Sequence, residues 1–223
     1  PISVMLPPLI PESEALTIHL TPDTYPIQFL LMTRLTTEQL DHYKNKGYIS
    51  PVNVLSNSEA KEIRKEIEKI EKDWPGALEG INRNYIHLIS PILNKVCLNK
   101  NILDAVENII GKNILICGTT LFIKSPNKKG FVSFHQDAKY IGLKPHNWVT
   151  AWIAVTDANE KNGCMRMLPG SHKEDLKYHE QKFDDNNLLT RGQTIKNVSI
   201  NQTKPVILKA GQMSLHHPKI VHG

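Results

Sequence analysis

The chain has 223 residues, 40% of them hydrophobic and 22% charged, with a formal net charge of +5. That is enough apolar material for one domain with a real core, and it excludes an intrinsically disordered chain, a collagen-like sequence and a disulfide-stapled mini-fold. No apolar run reaches the roughly eighteen residues that a membrane-spanning helix needs, so no membrane partner is expected.

The first 31 residues differ from the rest. They hold Glu12, Glu14 and Asp23 and no Lys or Arg, and six of the fourteen prolines fall there. With neither a basic start nor arginines they fit neither a signal nor a transit peptide. They read as a loose or artefactual leader, with Met32 as a plausible initiator and residues 32–223 as the domain proper. The basic charge after Met32 is scattered among Asn and Glu, without a basic block interleaved with aromatics, so no nucleic-acid partner is expected. Cys97, Cys117 and Cys164 are sparse and include no CxxC pair, which fits buried thiols in a reducing, cytoplasmic setting.

In chain order, Thr36 and Glu38 open a short helix that Gly47 stops, and an extended piece begins at Tyr48. Ser56 and Glu59 form a capping-box pattern ahead of a helix over 59–73, where Ile63, Ile67 and Ile70 repeat at helical spacing. Pro75-Gly76 ends it. Leu103, Val106, Ile109 and Ile110 mark another helix, closed by Gly111. The period then shortens. Residues 114–124, 132–136, 149–156, 164–168, 205–208 and 213–217 read as strands separated by Pro, Gly and Asn clusters. Helices followed by strands indicate an α+β fold, an antiparallel barrel or sandwich with helices outside. A polar stretch over 173–204 interrupts the strands and is long enough to be a lid or a disordered excursion.

His135-Gln136-Asp137 carries the chemistry. Residues i and i+2 of a strand share a face, so an imidazole and a carboxylate project together. Non-haem iron(II) is held by two histidines and one carboxylate with open positions opposite. Alone, the His-x-Asp pattern is weak, and the second histidine must come from a distant strand. His222 lies far downstream, after a strand-like run and the turn at Pro218.

Several linked motifs extend this pattern: Phe134-His135-Gln136-Asp137, Val149-Thr150-Ala151-Trp152-Ile153-Ala154, Asn162-Gly163-Cys164-Met165, Leu168-Pro169-Gly170-Ser171-His172, Leu208-Lys209-Ala210-Gly211-Gln212 and His217-Pro218-Lys219-Ile220-Val221-His222-Gly223. In order and spacing they resemble the phytanoyl-CoA dioxygenase family of iron(II)- and 2-oxoglutarate-dependent oxygenases. The resemblance covers roughly residues 36–223 and is strongest from Leu121 onward. It implies a double-stranded β-helix (jelly-roll) barrel with flanking N-terminal helices. It makes His135, Asp137 and His222 the iron ligands and 2-oxoglutarate the cosubstrate. His216 and His217 compete for the distal position, but they face opposite ways on a strand, and the family's metal-binding histidine follows the proline. His172 and His179 read as turn or lid residues.

By the same resemblance Thr150, Trp152 and Lys124 contact 2-oxoglutarate. Arg166, on a strand that lines the barrel in relatives, is the candidate to grip an anionic substrate group. Asp137 points to hydroxylation of a small molecule or acyl thioester with O2. Halogenating relatives carry a small residue there. A non-catalytic metal- or sugar-binding jelly roll is the reading from another class. Family members carry a 2-oxoglutarate-binding arginine beyond the distal histidine. The chain stops at Gly223, so the expectation is a fragment that lacks its last strands.

Overall fold

The computed structural model describes residues 2–6, 34–124 and 129–223. Helices and sheet are both present. The helices fall mainly in the first half: α1 (Thr37–Lys46), α2 (Asn57–Asp73), α3 (Pro91–Cys97) and α4 (Lys100–Ile110), with a one-turn α5 (Ala138–Ile141) later. Their starts follow from side-chain caps. Thr36 and Ser56 accept from the backbone of Gln39 and Glu59, whose side chains reach back to the cap amides. Ser90 caps α3 ahead of Pro91, a start signal that the apolar periodicity alone does not reveal.

The main sheet runs β2 (Tyr48–Asn53), β9 (Gln212–His216), β4 (Val149–Ile153), β1 (Ile2–Leu6), β3 (Gly118–Leu121), and every pairing is antiparallel. The reading of residues 1–31 as a loose leader is corrected for residues 2–6, whose backbone pairs with both β3 and β4. The remainder of that leader lies outside the described residues.

Alternation along β4 and β9 decides what each face of the sheet does. Val149, Ala151 and Ile153 of β4 and Met213 and Leu215 of β9 pack into one core with Ile63, Ile67 and Ile70 of α2, Leu93 and Val96 of α3, and Ile102 and Val106 of α4. On the other face Trp152 joins a second cluster with Met165, Met167, Val206, Leu208 and Ile220. Thr150 and His216 belong to this second face by the same parity.

The second layer is less regular than the sequence suggests. The expected strands 164–168 and 205–208 shrink to a pair, β5 (Arg166–Met167) with β8 (Lys204–Pro205). Residues 132–136 form no strand; His135 makes a single antiparallel bridge to His222, which in turn bridges Met167. The stretch 173–204 is not featureless. It carries a small hairpin of β6 (Glu180–Gln181) with β7 (Gln193–Thr194), and Phe131 bridges Asn187. Among the described residues no helix is long and apolar enough to cross a membrane.

Candidate metal centre

The His135–His222 bridge is the backbone frame of the site. Each residue's amide donates to the other's carbonyl, at 2.8 and 3.0 Å, and Gly223 and Arg166 exchange a second pair of bonds. Residues far apart in sequence are thus fixed side by side. Asp137 follows two residues after His135, at the start of α5, and turns its carboxylate back toward both rings.

One donor atom each from His135, Asp137 and His222 lies within 4.8 Å of the other two. His135 Nε2 is 3.3 Å and His222 Nε2 3.6 Å from Asp137 Oδ1. Both Nδ1 atoms face backbone carbonyls, that of Ser133 at 2.8 Å and that of Ile220 at 3.1 Å. With Nδ1–H donating, a neutral ring keeps only a lone pair at Nε2. Two lone pairs and a carboxylate oxygen then converge in a buried place, an arrangement that a cation satisfies. Carbonyl-anchored imidazoles beside a carboxylate are also the usual outer bonding of metal-ligating histidines.

The electrostatics agree. Burial alone pushes the Asp137 carboxyl up, but the surrounding His222, His135 and His216 outweigh it and hold the acid well below its usual range. Burial, reinforced by His135, holds the His222 imidazole well below its ordinary value and therefore neutral. An ionised acid with a neutral imidazole is the protonation state that binds a divalent metal. Two hydroxyl- and ring-bearing neighbours orient the carboxylate: Thr150 Oγ1 donates to Asp137 Oδ2 at 2.7 Å, and His216 Nε2 stands 3.3 Å from the same oxygen.

The other histidines take different positions. His216 faces Asp137, while His217 turns to the other side and packs against Tyr43 and His172. His172 has a packing role, with Nε2 3.1 Å from the Lys44 carbonyl and the ring against Gly47, where a side chain would collide with it. His179 Nε2 accepts from the Gln136 amide at 3.0 Å.

A cavity of about 1400 Å³ opens over the three residues, and Lys124, Trp152, Tyr140 and Arg191 line it as well. Lys124 Nζ donates to the Gly163 carbonyl at 2.6 Å. Trp152 is a wall of the cavity, and the Thr150 hydroxyl is committed to Asp137. Arg166 does not line the cavity. Its Nη1 pairs with Glu160 at 2.6 Å and its Nε donates to Thr203 at 2.8 Å, so the expected grip on a substrate anion is corrected to a clasp between β5 and the segment before β8.

Sequence reasoning missed three contributors. His216 pairs with Thr150 across the neighbouring strands, and the shared parity aims it at Asp137. Tyr140 lies edge-on to His135, ring centroids 5.7 Å apart, and its buried hydroxyl has no partner among the described residues. Gln136 is fully buried. Its amide nitrogen donates to the Lys219 carbonyl at 2.6 Å and its oxygen accepts from the Lys177 amide at 2.8 Å. It staples the stretch 173–204 to the turn that precedes His222, which only the tertiary arrangement reveals.

The comparisons with known proteins point the same way. The family model described as Phytanoyl-CoA dioxygenase (PhyH) matches residues 43–223. The peroxisomal phytanoyl-CoA dioxygenase of Mus musculus is 28% identical over 213 residues, which cover 85% of this chain and 63% of the mouse protein. Among solved structures, the apo form of ThoJ, a non-heme monooxygenase, is 28% identical with a TM-score of 0.70, covering 82% of this chain and 68% of ThoJ. SnoK, a non-heme alpha ketoglutarate dependent carbocyclase from nogalamycin biosynthesis, shares the fold at 23% identity and a TM-score of 0.66, covering 84% of this chain and 77% of SnoK.

Proposed function

Because this chain belongs to the phytanoyl-CoA dioxygenase family, we propose that it is an iron(II)- and 2-oxoglutarate-dependent oxygenase that hydroxylates an unactivated C–H bond of a small molecule or acyl thioester. The observation that carries the reading is the convergence of His135 Nε2, His222 Nε2 and Asp137 Oδ1 in a buried spot at the floor of a large cavity. Two imidazoles and one carboxylate suit iron(II) and leave positions free on the cavity side. The same reading takes the two layers around the cavity as parts of a double-stranded β-helix barrel.

When bound, iron(II) and 2-oxoglutarate supply the oxidising chemistry, in which 2-oxoglutarate loses carbon dioxide to become succinate while one atom of O2 enters succinate and the other the substrate. The chain's own residues bind, orient and exclude. His135, Asp137 and His222 hold the metal. Thr150 and His216 keep the Asp137 carboxylate turned toward it. Lys124 and Trp152, on the cavity wall, are the proposed contacts of 2-oxoglutarate, one as a point charge and the other as a flat apolar surface. Met165, Leu189 and Val132, also on that wall, limit water around the reacting atoms. The carboxylate of Asp137 favours hydroxylation over halogenation. Three free thiols support a reducing, cytoplasmic location.

The test is succinate formation from 2-oxoglutarate with iron(II) and O2, screened for substrates that stimulate it. Stimulated release that disappears in Asp137→Ala supports the reading. Absence of any 2-oxoglutarate turnover across acyl thioesters and small apolar molecules counts against it.

A further inference from the structure

Arg83 has no part in the site described so far, yet it lines the same cavity. It is 7% exposed. Its guanidinium stacks on Phe122, 5.0 Å from the ring centroid, and its Nε is buried without a partner. Among the described residues it makes no hydrogen bond and no ion pair. An arginine stays protonated in a protein, and burying a cation without a counter-charge is unfavourable. Burial does lower its pKa. Stacking satisfies the face of the guanidinium but not its N–H edge, which is the part that takes up oxyanions in a planar fork.

The position is built rather than incidental. Arg83 ends the short 3-10 turn Gly80–Arg83. The next two residues are tied to β3: Asn84 bridges Thr120 and accepts from its hydroxyl at 2.8 Å, and the Tyr85 amide donates to the Thr119 carbonyl at 2.7 Å. The segment carrying the cation is therefore fixed to the main sheet before any ligand arrives. Ile81, Tyr85, Phe122 and Ile123 line the cavity with it and supply apolar wall, while the charged Lys61, Arg64, Glu68 and Glu71 line it as well.

From this we infer that Arg83 is the receptor for an oxyanion, a carboxylate or a phosphate monoester, carried by an otherwise apolar substrate. The anion sets one end of the molecule at Arg83 and leaves its apolar body in the cavity that also holds the metal centre. The word substrate rests on the oxygenase reading; the anion site itself does not, and its test runs without metal.

Octanoate, octyl phosphate and octanol are titrated calorimetrically into the metal-free full chain, its Arg83→Met variant and its Arg83→Lys variant. The wild-type chain is expected to prefer one of the anions to octanol by at least about tenfold. Arg83→Met should abolish the preference, and Arg83→Lys should retain part of it, as charge without the fork. In the wild-type chain the Arg83 Nε–H resonance should shift with the preferred anion and not with octanol, a readout that needs no variant to fold. The affinity for 2-oxoglutarate, followed separately with iron(II) under anaerobic conditions, should be the same in wild type and Arg83→Met. No anion preference in the wild type, or a preference that survives in Arg83→Met, overturns the assignment. A parallel loss of 2-oxoglutarate affinity also overturns it, by giving Arg83 to the cosubstrate. If the oxygenase reading fails while anion binding behaves as described, the anion site stands.

Discussion

Thr150 is buried beneath the metal centre, and its hydroxyl is spent on the Asp137 carboxylate. Thr150→Val keeps the shape and removes that bond. The expected result is iron(II) binding weakened by about 10- to 100-fold, the usual cost of losing an outer-layer partner of a ligand. If the hydroxyl instead served 2-oxoglutarate, metal affinity would hold and cosubstrate affinity would fall, and the two titrations separate these roles. His217 gives a pH test. Burial and the neighbouring His172 and Lys219 lower its pKa to about 4. The unfolded chain takes up that proton near 6.5, so it binds more protons than the folded chain between the two values. This contribution to stability is complete above about pH 6.5 and is lost as pH falls toward 4. His217→Gln should be less stable at neutral pH, because the Lys219 amide loses its acceptor, but its urea midpoint should fall less between pH 7 and pH 5 than that of the wild type. Equal slopes would remove His217 from the account. At this scale the sequence discloses the donor trio, since His135 and Asp137 stand two apart and His222 follows a motif. It does not disclose Arg166, whose partners Glu160 and Thr203 belong to loops that only the fold brings together.

At the level of elements, α1, α2 and α4 are the legible part, whereas α3 and the one-turn α5 are not. Ser56, Glu59 and the Ile63–Ile67–Ile70 stripe announce α2, and Ser56→Ala should lower stability by about 1 kcal/mol in a denaturant titration, the ordinary value of an N-cap. The second layer was not legible, because its pairings are two residues long or single bridges and leave no run of alternation to detect. Short turns matter more there. Gly211 lies at φ +86°, and a side chain on it would run into the Leu55 carbonyl. Its own carbonyl accepts from the amides of Val54 and Leu55, joining the end of β2 to the start of β9. Gly211→Ala should cost more than about 1 kcal/mol, read from the same titration. The stretch 173–204 is held at its base by Gln136, so Gln136→Leu should speed proteolysis within that stretch while the helices stay protected. Unchanged cleavage would mean that the staple does not hold it. Protection of the wild-type stretch by 2-oxoglutarate plus substrate is the further outcome expected of a lid.

For the whole molecule, one sheet serves two purposes because strand parity divides its residues. One face of β4 and β9 supplies the core beneath the helices, and the other supplies Trp152 and His216 to the cavity and Thr150 to the Asp137 carboxylate. In the sequence residues 149–156 read only as a strand, and which partner covers each of its faces follows from the fold. The central claim is that His135, Asp137 and His222 hold iron(II) with 2-oxoglutarate beside it. The direct measurement is an anaerobic titration of iron(II) and 2-oxoglutarate into the chain, watching for the visible metal-to-ligand charge-transfer band of that pair. The account predicts a saturable band in the wild type and none in Asp137→Ala or His222→Ala, with folding of both variants verified by circular dichroism. No band in the wild type, or the same band in either folded variant, would contradict it.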